Sequence, residues 1–151
     1  MIWLVVSVLC FFIGVLVGIL LLFFYKKYKM EELQEMISIL ILWMKFIEKG
    51  NNIAEKLIAN GIRKIAIYDV GYLSRRLIEQ VKNTQVDVIY IIGNKKSVYD
   101  KFPVLPLSED NQKVDAIIIT NTYHYYRIKE KIGSILNYKI LSIEMLLKDE
   151  T

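Results

Sequence analysis

The chain has a single cysteine and a single histidine, which exclude an intramolecular disulfide framework and a His-rich metal centre. Only two prolines and seven glycines interrupt 151 residues, so neither a low-complexity tract nor a disordered chain fits this composition. Charge is missing altogether from Ile2 to Tyr25. Over the whole chain 20 Lys+Arg stand against 16 Asp+Glu, and a net charge of +4 is too small and too dispersed to point to nucleic acid. There is no P-loop lysine motif, no H-E-x-x-H, no C-x-x-C and no G-x-S-x-G. What the chain has in excess is apolar side chains, 54% of all residues, crowded into its first part. The rest has room for one compact domain.

From Ile2 to Tyr25 only Ser7, Cys10, Gly14 and Gly18 interrupt large apolar residues. A helix of that length measures roughly 36 Å, enough to cross a hydrocarbon core of about 30 Å with some tilt. A secretory signal peptide needs a basic start, a shorter apolar run and a small-residue cleavage site. None is present, and Phe23-Phe24-Tyr25-Lys26-Lys27 stands where cleavage would occur. The expectation is a single-pass anchor in the cell membrane. Lys26, Lys27 and Lys29 place its N-terminus outside and the remaining chain in the cytoplasm. The same lysines suit anionic lipid headgroups, at about 1 kcal/mol each. Gly14 and Gly18 form a G-x-x-x-G that lets two helix backbones approach, although the spacing also arises by chance in apolar spans.

Glu31 and Glu32 open a second helical pattern that runs to about Lys49 and stops at Gly50. It is apolar on two faces: Leu33, Met36, Ile37, Leu40, Met44 and Ile47 form one stripe, and Ile39, Leu42, Trp43 and Phe46 another. The following domain covers one of them; a second copy or the membrane interface covers the other. Asn51 and Asn52 cap a short helix with Ile53, Leu57 and Ile58 inward, ending at Asn60-Gly61.

From Ile62 strands and helices alternate. Ile65–Tyr68, Val86–Ile92, Val114–Ile119 and Lys139–Leu141 read as strands, with a short edge strand at Val104–Leu105 between Pro103 and Pro106. Leu73, Leu77, Ile78 and Val81 mark one intervening helix; Tyr125, Ile128, Ile132, Ile135 and Leu136 mark another; a short helix runs from Ser142 to about Lys148. Nearly continuous apolar strands separated by helices imply a parallel sheet covered on both faces, of four or five strands with right-handed crossovers. The expected organisation is an anchor at 1–25, a basic juxtamembrane segment with linker helices at 26–61, and a small Rossmann-like α/β domain at 62–151.

The stretch Ile65-Ala66-Ile67-Tyr68-Asp69-Val70-Gly71-Tyr72-Leu73-Ser74-Arg75-Arg76-Leu77 resembles the I-A-I-Y-G-x-G-x-x-G-x-x-L opening of NAD(P)-binding-like Rossmann domains found among bacterial capsule and exopolysaccharide biosynthesis proteins. Trp43, the Lys49-Gly50 step, Val114 to Thr120 and Ile140 to Leu147 are similar as well, so the likeness spans roughly residues 40 to 148. It implies a relative of nucleotide-sugar or dinucleotide binders in surface glycan assembly.

The three glycines of that fingerprint make the tight turn, admit the pyrophosphate and allow close helix packing. Here Asp69, Gly71 and Ser74 stand in their places. A carboxylate about 4 Å from a diphosphate costs on the order of 4 kcal/mol at an effective dielectric near 20. The helix N-terminus returns only about 0.3–1 kcal/mol, or 2 when partly buried. Gly93-Asn94 also replace the ribose-binding acid at the end of the second strand. These five positions form a degenerate dinucleotide site. Arg75, Arg76, Lys95 and Lys96 are anion candidates for the opposite view, against the plain reading that they are solvated surface charges. Thr120, Asn121, Thr122 and His124 follow a strand at its carboxyl end, where His124 is a potential acid or base and Asn121 or Thr122 a helix cap. No residue is expected to be catalytic and no metal is implied. The expected role is a non-catalytic accessory module, bound to the membrane and to a protein partner or its own copy, without a cofactor. The alternative is a reductase- or epimerase-like enzyme holding NAD(P) or a nucleotide-sugar.

Overall fold

Between Tyr25 and Glu31 the chain reads Lys26-Lys27-Tyr28-Lys29-Met30, with no glycine or proline to end a helix. In the computed structural model, which describes residues 1–94 and 96–148, the two expected helices are accordingly one: α1 runs unbroken over Ile2–Glu48. Lys29 Nζ meets Glu32 Oε2 at 2.9 Å across the junction. That exposed pair adds little; the missing breaker decides. Among the described residues α1 is the one helix long and apolar enough to cross a membrane, and its large apolar side chains from Val6 to Tyr25 are exposed. The chain forms two compact units, one comprising Met1–Glu35 and the other beginning at Met36.

The second unit opens with the last turns of α1. Gly50, at φ +76, ends the helix in a Schellman motif, its N–H on the Ile47 carbonyl at 2.8 Å and the Asn51 N–H on Phe46 at 3.2 Å. Helix α2 (Ile53–Ala59) follows at once, capped by the Asn52 side chain, which accepts from the Ala54 N–H at 2.8 Å. Strand β1 (Lys64–Tyr68), helix α3 (Tyr72–Val81) and strand β2 (Asp87–Ile92) come next. A hairpin of β3 (Ser97–Tyr99) and β4 (Phe102–Leu105) precedes β5 (Ala116–Ile119), α4 (Tyr125–Gly133), β6 (Lys139–Ser142) and α5 (Ile143–Leu147).

The sheet has six strands in the order β3-β4-β2-β1-β5-β6, more than the four or five expected. It is also not wholly parallel, because β3 pairs antiparallel with β4. The strand expected as an edge at Val104–Leu105 is longer and lies inside the sheet, with β3 beyond it. The turn between them, Asp100-Lys101, holds φ of 45° and 69°, the conformation of a two-residue hairpin turn without its usual Asn-Gly signal.

Alternate side chains face opposite sides. Ile65, Ile67, Ala116 and Ile118 join Leu57, Leu77 and Ile143 in one core, which also takes Ile39, Trp43 and Phe46 of α1. Ala66, Tyr90, Ile117 and Ile119 join Tyr125, Ile128 and Ile132 of α4 in the other. Covered on both faces, the parallel strands are mostly apolar, with Lys64, Asp87 and Lys139 exposed at the starts of β1, β2 and β6.

Asp115 ties the starts of two neighbouring strands together. Its Oδ2 accepts from the backbone N–H groups of Lys64 at 2.7 Å and Arg63 at 2.9 Å. These bonds, Lys64 first, hold its carboxyl below the ordinary range. The stabilisation is complete above the unfolded carboxylate range and disappears as pH falls through the lower folded value. Asp115→Asn is expected to lose about 1 kcal/mol at neutral pH, given the exposure of the group, and to flatten the acid limb of a stability-against-pH curve from chemical denaturation. An unchanged acid limb would show that the carboxylate contributes nothing.

Candidate switch-point cleft

The chain enters the sheet at β1, steps outward through β2 to β4, then returns to β5 and β6 on the other side of β1. Strand order thus reverses between β1 and β5, and ligands of open α/β sheets bind outside the strand carboxyl ends at such a point. A cleft of about 640 Å³ lies there, lined by residues following β1, β2 and β5 and by one side of α4.

The turn after β1 has the backbone shape that glycine would favour but not the residue. Asp69 sits at φ +84, a left-handed conformation costing about 1–2 kcal/mol for most side chains and least for Asp and Asn. Its carboxylate is held on both oxygens. Oδ1 accepts from the Val70 N–H at 2.8 Å, and Oδ2 takes the Asn121 side-chain amide at 3.5 Å. Asn121 in turn accepts from the His124 N–H at 3.2 Å. A polar bridge therefore crosses the crevice from the end of β1 to the end of β5, and the Asp69 carboxylate occupies the Val70 amide.

Below the bridge, Ser74 Oγ meets the Asp69 carbonyl at 2.8 Å and Thr120 Oγ1 at 2.9 Å, while Thr120 Oγ1 meets the Tyr68 carbonyl at 3.0 Å. Two hydroxyl protons serve three contacts, and both side chains are buried. Ser74 and Thr120 fasten α3 to the strand ends and are closed to a ligand. Gly71 is the extended residue before α3, and a Cβ placed there would meet nothing within 4 Å. The Tyr99 hydroxyl, 3.4 Å from the Gly71 carbonyl, closes on the same turn from the β3 side.

Gly93 lines the cleft, but packing explains it: a Cβ there would lie 2.6 Å from Val104 Cγ1. Gly93→Ala is expected to destabilise the fold by about 1–3 kcal/mol. Val104→Ala in the same chain should recover part of that loss in a double-mutant cycle, since it removes the clashing methyl. Strict additivity would contradict the clash.

The structure brings Asp69, Gly93, Asn94, Asn121 and His124 together around the cleft. It leaves others elsewhere. Arg75 and Arg76 face Glu79 along α3, at 3.7 and 3.5 Å, and are not among the lining residues. Lys96 is exposed and does not line the cleft; Lys95 lies outside the described residues. Thr122 supplies the carbonyl that accepts the Tyr125 N–H at 3.1 Å at the start of α4. A Cβ at Gly14 or Gly18 would meet nothing within 4 Å. Among the described residues, the cations that line the cleft are Arg127 and Lys131, which the sequence reading missed. Their signal was available: His124, Arg127 and Lys131 recur at helical spacing one position before the buried row Tyr125, Ile128 and Ile132. Neither forms an ion pair with a described residue. No group of three or more His, Cys, Asp or Glu able to hold a metal occurs among the described residues.

No family model, no curated protein and no solved structure matches this chain.

Proposed function

We propose that the chain is a membrane-anchored accessory module that recognises a protein partner through its α/β domain and performs no nucleotide chemistry of its own. The first part of α1 crosses the cell membrane, with Lys26, Lys27 and Lys29 keeping the domain on the cytoplasmic side. The domain is of Rossmann-like type, in keeping with its parallel order β4-β2-β1-β5-β6. The resemblance of residues 40–148 to domains of bacterial surface polysaccharide biosynthesis supports a working context beside an enzyme of glycan assembly or a second copy.

The observation that carries this reading is the Asp69–Asn121 bridge. A dinucleotide binder presents free turn amides to the pyrophosphate. Here Asp69 offers that position a negative charge and uses the Val70 amide itself. Titration of NAD(P) and of UDP-sugars into the detergent-solubilised chain tests it: no saturation below millimolar concentration is expected, and micromolar affinity for either would overturn it. Alkaline carbonate extraction tests the anchor separately, the chain being expected to stay in the pellet.

One observation favours a second reading. Arg127 and Lys131 give the α4 wall of the cleft two cations. A nucleotide-linked sugar gripped from α4 would use them. In the same titration that reading predicts binding that Arg127→Ala weakens at least tenfold, since a charge-assisted phosphate contact contributes about 1.5–3 kcal/mol.

A further inference from the structure

The switch-point cleft keeps its charges apart. On the β1 side stands Asp69, the one acid among the described lining residues, with its oxygens on the Val70 N–H and the Asn121 amide. On the α4 side stand Arg127 and Lys131, four residues apart and so neighbours on one side of the helix. Elsewhere helical cations meet acids of their own helix: Lys29 meets Glu32, and Arg75 and Arg76 meet Glu79. Arg127 and Lys131 meet none, although both line a cavity of about 640 Å³.

Resting on the partner-binding reading above, we propose that this cleft is the docking surface and that the partner enters it with an acidic peptide segment. A Glu or Asp carboxylate of that segment lies on Arg127 and Lys131, and its backbone N–H groups turn to Asp69. Three features select this occupant. A planar carboxylate matches the guanidinium fork with two parallel bonds, and the lysine one turn along adds a second point charge to the same group. The two walls also make opposite demands. A polypeptide meets both, because it carries N–H donors along its backbone beside its acidic side chains. A nucleoside diphosphate brings only negative charge to the same space, where Asp69 repels it. Finally, Val70 lines the cleft while 41% exposed, which gives an apolar residue beside the acid something to cover. The volume lies within the range of about 300–1,000 Å³ that buries a small ligand, so it takes a few side chains of an extended segment.

The test pans a random peptide display library against the full-length chain in detergent, then titrates the selected peptides by fluorescence anisotropy. Selected sequences should be enriched in Glu or Asp next to an apolar residue, and their binding should weaken as salt is raised. Changing their Glu to Gln, or Arg127→Ala in the chain, should cost at least about tenfold in affinity, the loss of one charge-assisted contact. Arg127→Lys keeps the charge without the fork and should fall between. Lys129→Ala, on the same helix but over the Tyr125 ring and outside the cleft, should change nothing. Arg127 and Lys131 are exposed, so an unchanged unfolding transition verifies each variant. Selected peptides without acids, or acidic peptides indifferent to Arg127 and Lys131, overturn the inference. Free glutamate competing as well as the peptides overturns it too, since the cleft would then hold a small molecule. Titration of the same chain with NAD(P) and UDP-sugars separates the two readings. If neither these nor acidic peptides bind, the module reading stands and the domain docks elsewhere; if a UDP-sugar binds and Arg127→Ala weakens it, both readings fall.

Discussion

Trp43→Ala lowers the unfolding free energy by about 3–5 kcal/mol, read from urea denaturation of the full chain in detergent. The indole is 2% exposed and belongs to the same core as Leu57, Leu77, Ile118 and Ile143. Removing it leaves a cavity under the sheet that the surrounding elements fill only in part. Against a typical total stability of about 5–15 kcal/mol, that loss brings the domain close to unfolding. Trp43→Phe should cost far less, about 1–2 kcal/mol, because it keeps most of the volume. It also sacrifices no hydrogen bond, the indole Nε1 having no partner among the described residues. Met44→Ala, one residue on but exposed, should stay within about 0.5 kcal/mol of the parent. If Trp43→Ala and Met44→Ala were equally mild, the last turns of α1 would be a tether rather than part of the domain.

Asp69→Gly should raise affinity for NAD(P) by at least tenfold and by as much as about a thousandfold, the equivalent of removing a repulsion of about 4 kcal/mol. The change also frees the Val70 N–H and places glycine at φ +84, where it fits without strain. Asp69→Asn separates the two causes. It abolishes the charge but keeps a side-chain oxygen able to hold the Val70 amide, so it should recover only the electrostatic share. Equal gains from both variants would assign the block to charge alone. Loss of residual binding in Asp69→Gly would instead mark Asp69 as part of a working nucleotide site.

Most of the domain was legible in the sequence because its signals are local and strong. β5 is four apolar residues buried at every position, and the Leu73-Leu77-Ile78-Val81 face of α3 is buried as its spacing implies. β3 was not legible: Ser97-Val98-Tyr99 is short and mostly exposed, and its Asp100-Lys101 turn carries none of the glycine that marks such hairpins. The continuity of α1 was missed for a different reason. Two acidic residues after an apolar run look like a helix start, but Glu31 and Glu32 sit inside a stretch with no breaker, where helix propensity carries through.

The candidate site was legible residue by residue and illegible as a constellation. Asp69 stood out as the wrong residue in a glycine turn, and Asn121 as a polar residue at a strand end. That they join across the crevice depends on β5 lying next to β1, a pairing of residues about fifty positions apart that local pattern cannot supply. The same adjacency turned Ser74 from a substitute glycine into half of a buried hydroxyl pair with Thr120. Helical spacing puts Arg127 and Lys131 on one side of α4, but that this side lines the cleft depends on the fold.

A crystal of the chain grown with millimolar NAD(P) bears most directly on what the domain has become. The account predicts that the Asp69 carboxylate stays on the Val70 amide and Asn121, with no diphosphate over the turn that links β1 to α3. Ordered adenine and two phosphoryl groups resting on Val70 and Gly71 would contradict it.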